Sequence, residues 1–190
     1  GNVTMIDWYD RNQCHHREDE KHDRGNGRIF KIIYGEPRDV EVDLAPLDDL
    51  ALVDHLTNSN EWYSRHARRL LHERSASGKM PEQIREELRN RFRAAQSTRD
   101  QLRYLWALHV TGGLSENEFA QVTETPRAPE TIAWLIRLVV EKPSDSERSA
   151  SELAKLAETA KAPVVRLAVC SALQRLPVDA RWTVFPSLLK

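Results

Sequence analysis

One short stretch brings together Asp10, Cys14, His15, His16, His22 and Asp23, all of types that ligate metal ions. Imidazole, thiolate and carboxylate are the donors that zinc and similar ions take. The spacing matches no closed structural zinc site, because there is one Cys and no second Cys–His pair. Adjacent histidines on a strand point to opposite sides, so one of them at most faces a given ion there; in a loop that restriction relaxes. Asp10, His15, His16 and Asp23 are therefore the metal candidates. The competing reading is a polar loop whose His and Asp side chains bond the backbone. Asp23-x-Gly25-x-Gly27 carries part of a calcium-loop pattern but lacks the later acids. Cys14-His15-His16 is not a C-x-x-C-H haem attachment motif, and no cofactor is expected.

No G-x-S-x-G, H-E-x-x-H or phosphate-loop pattern occurs. His66, His72 and His109 are scattered and read as helix-surface residues. The second chemical signal is charge. The 28 basic and 29 acidic residues nearly cancel, yet they are unevenly placed. Residues 36–56 hold seven acids and one Arg, whereas residues 61–104 hold ten Arg and one Lys against six acids. Solvated helix faces with i,i+4 pairs, such as Glu82, Glu86, Arg85 and Arg89, are one reading. A basic surface for an acidic partner is the other, with Arg68, Arg69, Arg89, Arg91, Arg93 and Arg103 as its candidates. Near-neutral net charge argues against nucleic acid as the partner.

The elements that must position these residues differ along the chain. Residues 3–9 and 28–34 are β-branched and aromatic and read as two strands joined by a long polar loop. Two strands alone are not stable in water. Residues 36–46 form an acidic connector. From Leu47 the period is helical. Leu47, Leu50, Val53 and Leu56 give helix one. Asn58-Ser59-Asn60 caps Glu61–Arg74, whose apolar stripe is Trp62, Ala67, Leu70 and Leu71. Pro81 opens Glu82–Ala95, and Ser97-Thr98 caps a helix that stops at Gly112-Gly113. Ser115–Val122, with the capping box Ser115-x-x-Glu118, is a short fifth helix. Glu130–Glu141, Ser146–Ala160 and Pro163–Leu176 follow, and Ala180–Leu188 opens a ninth, interrupted by Pro186. Trp62, Trp106, Trp134 and Trp182 read as stacking core, the alternative being an aromatic binding surface exposed between Arg-bearing helices; Cys170 reads as a small buried hydrophobe. No apolar run is long enough to span a membrane. The first residues show no signal-peptide pattern, and Gly1 in place of an initiating Met suggests a fragment.

One phrase recurs along this helical region. It reads Trp62-Tyr63-Ser64-Arg65-His66-Ala67, Leu102-Arg103-Tyr104-Leu105-Trp106-Ala107, Ile132-Ala133-Trp134-Leu135-Ile136-Arg137 and Val164-Val165-Arg166-Leu167-Ala168. Arg65 to Arg103 is 38 residues and Arg103 to Arg166 is 63. Self-similarity at about 30–40 residues is the mark of stacked helix pairs, which bury a core between neighbours and present a surface. The pairs resemble HEAT repeats. Arg65, Arg103 and Arg166 stand near the position where that family favours a basic residue on the second helix; the third unit departs, with Thr131 or Ala133 there.

A resemblance covering the whole chain is more specific. Ile6-Asp7-Trp8-Tyr9-Asp10, the loop with Asn12, His15 and His16, and Gly27-Arg28-Ile29-Phe30-Lys31-Ile32 look like the last blade of a sugar-dehydrogenase-like β-propeller. Such a propeller leads into HEAT repeats in the planctomycete-type proteins called membrane-bound dehydrogenases or haem-binding C-x-x-C-H proteins. Asn60–Leu71, Leu105–His109 and Val164–Ala168 also resemble that family. The haem-ligating motif is missing here, so haem binding does not carry over.

The sequence thus leads to a mainly α protein: a HEAT-like, armadillo-like α-solenoid of about four helix pairs with a short N-terminal β-hairpin. Residues 1–35 would be the blade remnant, 36–46 a linker and 47–190 the repeats. The expected function is a non-catalytic protein-interaction scaffold within a larger extracytoplasmic, redox-type protein. Its partners would be other domains of that protein or another chain, and the hairpin edge could pair with a second copy. The alternatives are the C-terminal part of a propeller dehydrogenase, with Asp10, His15 or His16 near its active face, and a nucleic-acid-binding repeat protein. The extracytoplasmic location follows from the resemblance alone.

Overall fold

The computed structural model describes residues 3–6, 25, 27–36, 41–114, 119, 127–141 and 146–189. The chain divides into two compact units, Gly1–Val42 and Asp43–Lys190. The first holds strands β1 (Val3–Ile6) and β2 (Ile29–Ile32), paired antiparallel with Val3 opposite Ile32 and Ile6 opposite Ile29. Every residue of both strands is exposed. Apolar side chains therefore stand on both faces of this ribbon, with Val3 and Met5 on one side of β1 and Ile6 on the other.

The second unit holds eight α-helices among the described residues: α1 (Asp49–His55), α2 (Glu61–Ala76), α3 (Glu82–Ala94), α4 (Thr98–Val110), α5 (Pro129–Val139), α6 (Ser146–Thr159), α7 (Pro163–Ala172) and α8 (Val178–Leu188). Local chemistry sets their ends. Asp48, Asn60 and Ser97 accept hydrogen bonds from the first-turn amides of α1, α2 and α4. Pro129 and Pro163 open α5 and α7, where a missing N–H costs nothing. Gly78 and Gly112 follow α2 and α4 at positive φ, the conformation that ends a helix most easily at glycine. α8 continues through Pro186, which sits in its last turn.

α1 packs on α2, α3 on α4 and α6 on α7. α2 also packs on α4, α4 on α5 and α5 on α7, which makes a side-by-side row of four helices. Leu52, Val53, Leu71, Leu88, Leu105, Leu135, Ile136, Leu153 and Val165 are sealed between these layers. Phe119 is helical and buried, while the rest of the expected fifth helix lies outside the described residues.

Four expected core positions are corrected by helix geometry. Leu50 is 46% exposed, because Leu52, Val53 and Leu56 define the buried stripe of α1. At roughly 100° per residue, Leu50 falls about 110° from the centre of that stripe. Trp62 lies outside the Ala67–Leu70–Leu71 stripe for the same reason, and its ring instead stacks on His66 at 4.6 Å. Trp182 is exposed and meets Phe185 edge-on. Cys170 is exposed too, since Val165, Ala168, Val169 and Ala172 take the inner face of α7.

Candidate functional site

α2 and α4 each bring one charged stripe to their junction. On α2, Glu61, Arg65 and Arg68 recur at helical spacing; on α4, Arg99, Leu102, Arg103 and Trp106 do the same. Side by side, the two stripes line an open hollow of about 620 Å³. Four guanidinium groups therefore surround one carboxylate.

These groups are not equivalent. Arg103 is 3% exposed. It donates to the Asn58 carbonyl at 2.9 Å, just beyond α1, and to the Glu61 carboxylate. Its charge is thus used within the protein. The bond from Arg103 holds the Glu61 carboxyl below its ordinary 4.5, and the fields of Arg65 and Arg99 add to this. Arg65 stands 4.0 Å from the same carboxylate, and Arg99 pairs with its neighbour Asp100 at 3.2 Å. Arg68 has no ion pair of its own among the described residues. Its guanidinium lies 5.2 Å from the centre of the Trp106 ring. Partial burial pushes its pKa down, the Arg65 charge pushes the same way, and Glu61 opposes both.

Trp106 extends the arrangement. Its ring meets Trp134 of α5 edge-on, with centroids 5.3 Å apart, and Arg137 lies 5.4 Å over Trp134. Arg137 in turn lines a second hollow of about 290 Å³ with Val140 just past α5, Ala168, Ser171 and Ala172 of α7, and Gln174 and Arg175 beyond. The contacts Arg68–Trp106–Trp134–Arg137 thereby join the two hollows along the row. The Trp106 Nε1–H is buried without a hydrogen-bond partner among the described residues. An unsatisfied buried donor costs about 1–3 kcal/mol, which Phe at that position would avoid.

The other arginines singled out in the sequence are placed elsewhere. Arg69 bonds Glu73 and His66 along its own helix. On α3, Arg89 bonds Glu82, Glu86 and the Gly113 carbonyl. Arg93 reaches Asn90 and Glu86, and Arg91 reaches Asp54 and Glu87. So Arg68 and Arg103 are brought together, and Arg69, Arg89 and Arg93 are not. Asp10, His15, His16 and Asp23 lie outside the described residues. Among the described residues no cluster of three or more His, Cys, Asp or Glu is placed to hold a metal ion.

Sequence reading missed a second use of arginine. Arg74 donates to the Asp49 carboxylate and to the carbonyls of Ala45 and Leu47. Arg127 donates to the Phe92 carbonyl at the end of α3 while stacking on its ring at 4.5 Å. Arg166 donates to the Ala157 and Leu188 carbonyls in the last turns of α6 and α8. Arg85 donates to the Thr111 carbonyl after α4. Helix C-termini leave carbonyls without intrahelical partners and carry a partial negative charge, and Arg85, Arg127 and Arg166 answer both from neighbouring elements, whereas Arg74 ties down the segment that leads into α1. It also missed Arg99, Arg137 and Arg175 as lining residues. The i,i+4 spacing of Arg99 with Arg103 is visible in the sequence, but the helix opposite it is not.

Acid should loosen this junction. Glu61 and Glu82 both have carboxyls held below 4.5 in the folded chain, Glu61 chiefly by Arg103 and Glu82 chiefly by Arg85. Depressed carboxyl pKa values contribute stability that is present above the unfolded value and lost as pH falls through the folded one. The midpoint of thermal unfolding is therefore expected to fall steadily below pH 4.5. In Glu61→Gln that slope should be shallower. Parallel pH profiles for the two proteins would refute the assignment.

Comparison with known proteins finds no matching family model, curated protein or solved structure.

Proposed function

We propose that the helical unit is a HEAT-like repeat module that binds protein, serving as an interaction scaffold within a larger extracytoplasmic, redox-type protein. One observation carries this reading. The row α2–α4–α5–α7 presents a continuous run of partly exposed arginine and tryptophan, Arg68–Trp106–Trp134–Arg137, flanked by two open hollows. Arginine and tryptophan are the residues on which protein interfaces most often depend, because each offers a large contact area together with a polar handle. The side-by-side packing of α2, α4, α5 and α7 supports the repeat architecture, in which one helix of each pair lines a shared surface.

The reading is tested by placing a photo-crosslinking amino acid at Leu102 or Ser171, which line the hollows, and at Gln83, exposed on α3. Expressed in its source cell and irradiated, the chain should crosslink to a discrete protein from the first two positions and not from Gln83. No crosslink from Leu102 and Ser171, or equal crosslinking from Gln83, would refute it.

A second reading has its own support. The strand pair Val3–Ile6 and Ile29–Ile32 is exposed on both faces, as expected of one propeller blade without its neighbours. On that reading the first unit is the C-terminal part of a sugar-dehydrogenase-like enzyme.

A further inference from the structure

We propose that the hollow between α2 and α4 is a carboxylate-binding site, one that takes Asp or Glu side chains from an acidic, extended segment of a partner protein. The identity of the partner as protein rests on the function proposed above; the anion site rests on its own geometry.

The argument begins with Arg68. Arg68 is a partly buried guanidinium with no ion pair among the described residues, which is costly; the like charges of Arg65 and Arg103 add repulsion that Glu61 offsets in part. Arg103 already has the Glu61 carboxylate and Asn58 carbonyl. Arg65 is 4.0 Å from Glu61, too long for a good bond. An incoming carboxylate would supply the missing negative charge. Orientation favours it as well. The Arg68 guanidinium lies over the Trp106 ring, 5.2 Å from its centre, a cation–π contact that favours one placement of the side chain, and its planar fork can meet a planar carboxylate with two parallel bonds. A side chain already favoured in one placement loses less entropy on binding.

Space and continuity then extend the ligand beyond a single ion. About 620 Å³ exceeds what one carboxylate occupies and admits the backbone that carries it. The second hollow repeats the chemistry in smaller form, with Arg137 and Arg175 beside Val140, Ala168 and Ala172. A chain that places acids against the arginines and apolar side chains against α5 and α7 satisfies both hollows.

The same features disfavour nucleic acid. Glu61 stands inside the hollow and Asp100 beside Arg99, where a phosphate backbone would meet like charge. Arg89 and Arg93 on α3, which could prolong a phosphate track, are engaged by Glu82 and Glu86. Base-stacking platforms need open ring faces. Trp106 and Trp134 instead each carry a guanidinium over the ring and meet one another edge-on.

The test is fluorescence anisotropy of the full chain at low salt with a labelled peptide of about ten residues, alternating glutamate and leucine. Its glutamine counterpart and a single-stranded oligothymidylate of similar length are the comparison probes. The glutamate peptide should bind, and the glutamine peptide should bind at least about tenfold more weakly. Arg68→Glu should weaken glutamate-peptide binding by about tenfold or more, whereas Arg93→Glu, an identical charge change on α3, should alter it less than about twofold. If Arg68→Glu loses helical circular dichroism, Arg68→Gln replaces it, with a loss of at least about fivefold expected.

Equal binding of the two peptides, equal effects at Arg68 and Arg93, or tighter binding of the oligothymidylate would each overturn the proposal. Failure here can be told from failure of the scaffold reading. Crosslinks from Leu102 and Ser171 together with an inert glutamate peptide would remove the carboxylate site alone. Peptide binding without crosslinks would remove the scaffold reading alone.

Discussion

Arg103→Ala is expected to destabilise the helical unit by about 3 kcal/mol and to lower its Tm by roughly 6–12 °C. The side chain is buried, and from α4 it fastens both the Asn58 carbonyl and the first residue of α2, Glu61. Hydrogen bonds to a charged group are worth about 1.5–3 kcal/mol each. The truncation also leaves a void where the side chain lay, and voids carry their own cost. The uncompensated partner left behind is Glu61, whose side chain is half exposed, so the penalty stays below that of stranding a buried charge. Arg103→Lys separates charge from shape. It keeps the cation but cannot span both acceptors, so it should recover less than half of the lost Tm. Thermal melts followed by circular dichroism read both outcomes. An alanine variant that melts within about 2 °C of the parent would show that the clamp carries little of the stability.

The second large effect belongs to Arg74→Ala. This side chain holds the Asp49 carboxylate at 2.6 Å and the Leu47 and Ala45 carbonyls at 2.7 and 2.9 Å. All three acceptors lie at or just before the start of α1, so one residue near the C-terminus of α2 anchors the entry to the whole helical unit. A loss of about 2–3 kcal/mol is expected, discounted for partial exposure of the pair. The effect should also be local. Amide exchange of residues 45–55 should quicken more than that of α5 or α7, because opening an edge element costs less than global unfolding. Uniform acceleration across the unit would instead mean that Arg74 supports the fold as a whole. Asp49→Asn, which leaves both carbonyl bonds in place, should cost less than Arg74→Ala.

Much of the helical layout was readable from local chemistry. Asn60, Ser97, Gly112, Pro129 and Pro163 mark ends through interactions confined to a turn or two, and sequence carries that information directly. The strands were readable from β-branched and aromatic alternation, and β1 pairs with β2 as expected. Errors came where a periodic pattern offered more apolar residues than one face could bury. Leu50 and Trp62 lost their places to Leu52 and Ala67, which lie on the face that meets the neighbouring helix. The site itself was least legible. Arg65 and Arg103 occupy comparable places in the recurring sequence phrase, yet one is exposed and the other sealed. A long cationic side chain goes wherever a neighbouring helix presents a carbonyl or carboxylate, and that neighbour lies tens of residues away: 45 residues separate Arg103 from Asn58. Cap rules look along a chain, whereas these bonds run between elements.

The arginine clamps have a consequence for which substitutions the unit tolerates. Arg74, Arg85, Arg103, Arg127 and Arg166 all donate to backbone carbonyls. Every residue carries a carbonyl whatever its side chain. A change of side chain at Ala45, Leu47, Asn58, Phe92, Thr111, Ala157 or Leu188 therefore leaves the acceptor in place, whereas a change of the arginine removes the donor. Each tie is written into the sequence at one end alone.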